Sequence, residues 1–113
     1  MALVLIDGEN VRRSQWPNVQ QDRLVELARQ WADATGNDVL VVFDGRAPVD
    51  GEDVVGTGGE SADDWLTRRA RELAGDGQAH WLVTSDRELR ARAAGDAERV
   101  VGGGAFLREL LVG

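Results

Sequence analysis

The 113-residue sequence contains no cysteine and no lysine. Without cysteine there are no disulfides, thiolate zinc sites or cysteine nucleophiles, and a reducing, cytoplasmic compartment is expected. The absence of lysine excludes a Walker A phosphate loop, a Schiff-base enzyme and a receiver domain that pairs its phosphoacceptor aspartate with lysine. All 13 basic residues are arginine, set against 20 acidic ones for a net charge of −7. That balance opposes broad adhesion to nucleic acid or an anionic membrane but leaves room for a local arginine rim. No apolar run approaches membrane length, and neither a basic segment nor a long apolar one precedes Asp7, so no signal peptide and no membrane association are expected. His80, the sole histidine, stands at the amino end of a strand, on the edge expected to lie away from the acidic residues. A Ser-His-Asp triad is therefore not expected, and His80 reads as structural.

What the sequence has instead is a repeated grammar. Leu3-Val-Leu-Ile-Asp7-Gly8, Val39-Leu-Val-Val-Phe-Asp44-Gly45 and Trp81-Leu-Val-Thr-Ser-Asp86 are each an apolar run that stops at aspartate. Consecutive apolar residues without alternation suit strands covered on both faces, as in a parallel sheet. Gly8 is expected to turn the backbone sharply. Between these runs, Leu24, Leu27, Ala28, Trp31 and Ala32 recur at helical spacing within a helix expected over 19–35, closed by Gly36-Asn37. A short strand is expected at 53–55, and a helix from Ser61 to Ala74 opened by a capping-box-like Ser61/Asp64 pair. A further helix is expected over 86–94, an edge strand over 99–101 and a last helix over 105–111. Gly102-Gly-Gly104 reads as a turn, Trp31, Trp65 and Trp81 as core, and Trp16 as a lid over the core, with a stacking platform for a base as the alternative.

Strands alternating with helices predict one domain, residues 1–113, with a three-layer α/β/α sandwich around a mostly parallel sheet. A chain of this length buries roughly two-thirds of the surface it exposes when unfolded, enough for a genuine core. In such sheets ligands bind outside the carboxyl ends of the strands, where Asp7, Asp44 and Asp86 all fall. Glu60, three residues before Asp63 and four before Asp64, adds acidic groups from the start of the next helix. Crowded carboxylates either raise one another's pKa or recruit a hard cation, Mg2+ or Mn2+, which can polarise a phosphodiester and activate water. Helical phase places Ala62, Leu66, Ala70 and Leu73 on the buried face and Asp63 at its edge. Asp64 points outward, spaced to pair with Arg68. Arg12, Arg13, Arg46 and Arg87 follow strand ends and are expected to ring the same crevice, gripping a polyanion.

These residues resemble a known family. Leu-Ile-Asp7-Gly-Glu-Asn10-Val resembles the "VDGYN" opening of NYN domains, Val-Phe-Asp44 their second strand end, Gly-Glu60-Ser-Ala-Asp63 their acidic helix start and Val-Thr-Ser85-Asp86 their fourth site. Order and spacing are similar to the YacP-like branch of the PIN-like nucleases over nearly the whole chain. The resemblance implies a PIN-like fold and a divalent-metal-dependent endoribonuclease. It makes Asp7, Asp44, Glu60, Asp63 and Asp86 the metal ligands, Asn10 a catalytic neighbour and RNA the substrate, free or presented on the ribosome. Thr84 or Ser85 would orient water or phosphate, with Ser85 among the RNA contacts. Glu9 stands where the family often has an aromatic residue.

Two other readings fit the same residues. One is a catalytically silent RNA- or ribosome-binding module of the same fold. The other is a metal-dependent phosphomonoesterase, although Glu9 occupies the place where haloacid-dehalogenase-type enzymes carry a second aspartate.

Overall fold

Leu3 to Ile6 offer no polar side chain, so a strand made of them is stable only with both faces covered. The computed structural model, which describes residues 2–113, places this strand at the centre of a five-stranded sheet. In chain order the elements are β1 (Leu3–Asp7), α1 (Gly8–Arg12), α2 (Gln21–Thr35), β2 (Asp38–Phe43), β3 (Val54–Gly56) and α3 (Ala62–Gly75). They continue with β4 (His80–Val83), α4 (Arg87–Ala93), a 3-10 turn (Ala94–Asp96), β5 (Arg99–Val101) and α5 (Gly103–Val112). The strand order is β3-β2-β1-β4-β5, and every pairing is parallel. Among the described residues no helix is long and apolar enough to cross a membrane.

The sheet's two faces follow from the two-residue period of its strands. Val4, Ile6, Val41, Phe43 and Val83 face one core with Leu24, Ala28 and Trp31 of α2 and Phe106 and Leu107 of α5. Leu5, Val42 and Leu82 face the other, with Ala62, Leu66, Ala70 and Leu73 of α3 and Leu89 and Ala93 of α4. This is the expected three-layer sandwich, and full burial of each large apolar side chain contributes about 1.5–3 kcal/mol. The α3 face is the one its helical phase predicts, with Thr67 added to it. Ser61 caps α3, its Oγ accepting from the Asp64 backbone N–H at 3.1 Å.

Several local expectations are corrected. The chain after β1 enters a helix at once, α1 beginning at Gly8 where a sharp turn is expected. Gly8 does not serve a left-handed turn, since it is absent from the positive-φ glycines. Its role is close approach: a Cβ there would lie 2.6 Å from Phe43 Cε1 and 2.9 Å from the Val42 carbonyl oxygen. The triple glycine is no turn either, because Gly103 and Gly104 form the first residues of α5. Trp16 is no lid over the core, being 88% exposed.

Gly8→Ala must push against a buried ring and a strand carbonyl together, an overpacking that costs about 1–3 kcal/mol. Urea unfolding should show that loss with an unchanged m-value. A variant as stable as the parent would mean that α1 can ride away from β2 freely.

Candidate active site

Parallel pairing makes β1, β2 and β4 end on one edge, with Asp7 of β1 beside Val42 and Ile6 beside both Val41 and Val83. Asp7 is the last residue of β1, Asp44 follows β2 by one residue, and Asp86 caps α4 just beyond β4. Asp63, in the first turn of α3, reaches the same place from the layer below. β1 and β4 are the neighbours between which the strand order reverses, the topological switch point where open α/β sheets bind their ligands. An open crevice of about 640 Å3 lies there, lined by Asp7, Asp44, Asp63 and Asp86 together with Asn10 and Ser85, with Glu9, Arg13, Ser14 and Gly104 completing its wall.

Each carboxylate is held by a different device. Asp7 is 5% exposed, and its Oδ2 accepts from the buried Thr84 hydroxyl at 2.8 Å. That same Thr84 oxygen accepts from the Asp86 backbone N–H at 3.1 Å, so one hydroxyl ties two acidic positions together. Asp44 Oδ1 accepts from the Ala62 N–H at 2.7 Å, and Asp86 Oδ1 from the Leu89 N–H at 3.0 Å. In both, one oxygen anchors the start of a helix and the other is left for the crevice. Asn10 Oδ1 accepts from the Ser85 N–H at 2.9 Å, and Ser85 Oγ from the Gly103 N–H at 2.8 Å. This chain fastens α1, β4 and the start of α5 to each other. It also explains Gly103, where a Cβ would strike Asn10 Oδ1.

The electrostatics set these four aspartates apart. Every ion pair among the described residues uses other acids, namely Glu9, Glu26, Asp53, Glu60, Asp64 and Glu72. Desolvation by burial pushes the Asp7 carboxyl from its ordinary 3.8 up to about 6, against the Thr84 hydrogen bond and with the help of the negative charges of Asp63 and Asp86. Burial also raises Asp63, reinforced by Asp86 and Asp44 and partly relieved by Arg92. The four groups thus share one field.

The remaining expected site residues distribute differently. Glu60 precedes the Ser61 cap of α3 and is clamped by both terminal nitrogens of Arg68, so it does not line the crevice. Asp64 does point away from the crevice, but its partner is Arg92 of α4 at 2.8 Å and not Arg68. Arg13 is on the crevice wall. Arg12 is not; it donates from Nε to Glu9 at 2.5 Å and lines a separate hollow with Gln20, Gln21 and Pro48. Arg46 and Arg87 are exposed outside the lining. Thr84 gives its one donor to Asp7, accepts from the Asp86 backbone N–H and is fully buried off the crevice wall, so it orients these two positions and not water. His80 is buried at the far end of β4, as expected. Sequence reasoning missed Ser14 and Arg90. Ser14 directly follows Arg13 in the loop, a signal that was available, whereas Arg90 donates to the Thr84 carbonyl at 2.8 Å through a contact only the fold creates.

Chemically, the four crevice aspartates offer hard oxygen donors that take part in no ion pair among the described residues. Among the described residues no three His, Cys, Asp or Glu side chains are grouped so that, as placed, they could hold a metal ion. Asp7, Asp44, Asp63 and Asp86 are the residues that could hold a hard cation here, one that keeps several of its waters, as magnesium does.

Asp7 yields a signed prediction. Because its folded pKa lies above 3.8, folding binds a proton more tightly, so ionisation of Asp7 removes stability as pH rises from about 4 to about 6. The full penalty is of the order of 3 kcal/mol. In chelator, Asp7→Asn should therefore unfold at higher denaturant than the parent at pH 7, the two converging near pH 4. A stability difference independent of pH would show that Asp7 ionises without cost.

The fold can now be set beside solved structures. It is similar to that of Rae1 (YacP) from Bacillus subtilis, with a TM-score of 0.78 at 23% identity over 99% of this chain and 75% of that one. A tryptophan-to-leucine variant of the same protein gives a TM-score of 0.81 at 26% identity over 99% and 76%. No protein-family model and no curated protein sequence matches the chain. The likeness in fold extends over nearly the whole chain and is consistent with the YacP-like NYN, PIN-like architecture that the acidic motifs resemble.

Proposed function

We propose that the chain is a divalent-metal-dependent endoribonuclease whose centre is the Asp7, Asp44, Asp63 and Asp86 crevice. The observation that carries this reading is that four aspartates from four separate elements meet there while every ion pair among the described residues goes elsewhere. Bound Mg2+ or Mn2+ would supply Lewis acidity toward a phosphodiester and a more acidic water. The chain's own contribution is positional. Thr84 fixes the Asp7 and Asp86 positions, Ala62 and Leu89 each fix one carboxylate oxygen, and Asn10 with Ser85 holds the wall beside them. Arg13, exposed and without an acidic partner among the described residues, is the cation placed to meet a substrate phosphate. RNA as the substrate, free or presented on the ribosome, is what the motif resemblance implies, and the likeness in fold to Rae1 (YacP) is consistent with it.

Purified protein should cleave unstructured RNA with Mn2+ and not in chelator. Asp7→Asn should abolish cleavage, and Asp63→Asn should lower kcat about 100-fold or more, whereas Asp64→Asn should stay within about three-fold. Equal losses at positions 63 and 64 would remove the assignment of roles along α3. Mn2+ should also raise the thermal midpoint of the parent more than that of Asp7→Asn, a readout independent of turnover. Binding that ignores Mn2+, with no cleavage, would favour the catalytically silent module.

The arginines can be separated in the same assay. Arg13→Ala should weaken RNA binding about uniformly across sequences and reduce its salt slope by roughly one. Arg12→Ala, whose guanidinium is already spent on Glu9, should leave that slope unchanged. The reverse pattern would place the strand in the second hollow.

A further inference from the structure

Trp16 exposes 88% of its surface, and the other large apolar side chains so exposed, Leu111 and Val112, belong to the end of α5. Leaving an indole in water forgoes burial of about 150–250 Å2. The surrounding loop is nevertheless fastened. Val19 N–H donates to the Arg12 carbonyl at 3.0 Å, and Ser14 Oγ donates to the Val11 carbonyl at 2.6 Å. Arg12 and Val11 belong to α1, so the loop leaves and rejoins the very helix that carries Glu9 and Asn10 to the crevice. Trp16 is therefore presented by a clipped loop and does not dangle from a frayed one.

Its place relative to the crevice is the second observation. Arg13 and Ser14 line the crevice wall, and Trp16 is two residues beyond Ser14, within about 7 Å of backbone. The sequence therefore runs from carboxylates, through an arginine without an ion-pair partner among the described residues, to an exposed indole. A nucleotide strand presents the matching series of scissile phosphate, neighbouring phosphate and base. Indole stacks on any base face, but only if that base is not already stacked inside a helix.

We infer that Trp16 is a stacking platform for one unpaired base next to the phosphate held in the crevice, which makes the substrate a single strand and Trp16 a positioning residue. This inference rests on the nucleic-acid reading of the crevice and adds a base-level contact to it. Stacking of this kind is tolerant of base identity, so Trp16 selects for strandedness more than for sequence. The acidic surface, with its net charge of −7, makes such a non-ionic contact more useful, because less of the affinity can come from general attraction to phosphate.

The test uses the full chain with a short unstructured oligoribonucleotide in Mn2+. Binding is read in the Asp7→Asn background, where the strand stays whole, and cleavage in the parent. Trp16→Ala should weaken binding roughly ten-fold or more and raise KM with kcat within about three-fold, whereas Trp16→Phe should recover most of the loss. Removing one base from the strand, at a fixed offset from the cleaved bond, should give a similar loss, and combining it with Trp16→Ala should add little. Tryptophan emission should be quenched on binding and lose that response in Trp16→Phe. Unchanged binding and KM in Trp16→Ala, with the parent cleaving normally, would overturn the platform and leave the nuclease reading intact. Conversely, a parent that never cleaves but shows the Trp16-dependent, base-dependent binding would remove the nuclease and keep the platform. Loss of binding to ribosomes without loss of binding to free RNA would overturn it too, since the indole would then be a protein contact.

Discussion

The Thr84 hydroxyl joins β1 to β4 at the one place in the sheet where the strand order reverses. Donating to Asp7 and accepting from the Asp86 backbone, it uses its donor and one acceptor site in a fully buried position. Loss of a hydroxyl so placed would take one of its hydrogen bonds from a buried carboxylate, which keeps the Asn10 backbone, and leave the Asp86 backbone N–H without this partner, each loss costing about 1–3 kcal/mol. The rest of the site inherits its coordinates from this point. Asp86 starts α4, Ser85 beside it holds the first turn of α5, and Asn10 binds Ser85 back to α1.

A second constraint is the distribution of charge. Thirteen arginines cannot balance twenty acids, so some acids must go without partners. The fold sends its guanidinium groups outward: Arg68 to Glu60, Arg92 to Asp64, Arg29 to Asp53, Arg12 to Glu9. Most of these pairs are half-exposed, so each adds little to stability. Their consequence is local neutrality around a crevice that stays negative. Asp7 bears the cost of that arrangement, its carboxyl held near 6 by burial in a site whose nearest charges share its sign.

Much of this was legible from residue order. The strands were readable because their apolar runs are short, contiguous and stopped by aspartate, and parallel pairing then brings Asp7, Asp44 and Asp86 to one edge without further information. Asp63 and Asp64 were separable because both lie inside α3, where helical phase applies. Glu60 was misplaced because the same phase was extended backwards past Ser61, whose extended backbone ends the helix. Charge partners were the least legible: Arg68 reaches Glu60 eight residues away, and Asp64 finds Arg92 on another helix. The triple glycine misled for a related reason. Low helix propensity argued for a turn, but α5 starts there because the Ser85 hydroxyl and the close approach of Asn10 fix it from outside.

Net charge says less about nucleic-acid binding than the length over which charge acts. At physiological ionic strength the screening length is about 8 Å, so acids on distant faces scarcely touch the potential inside the crevice. That potential is set by four aspartates, by Arg13 on the wall and, under the proposed reading, by a divalent cation large enough in charge to invert the local sign. Under that reading a polyanion meets its strongest attraction where the cation and Arg13 sit. Under the same reading, the acidic surface that weakens general adhesion would confine productive contact to one edge of the sheet, between the ends of β1 and β4.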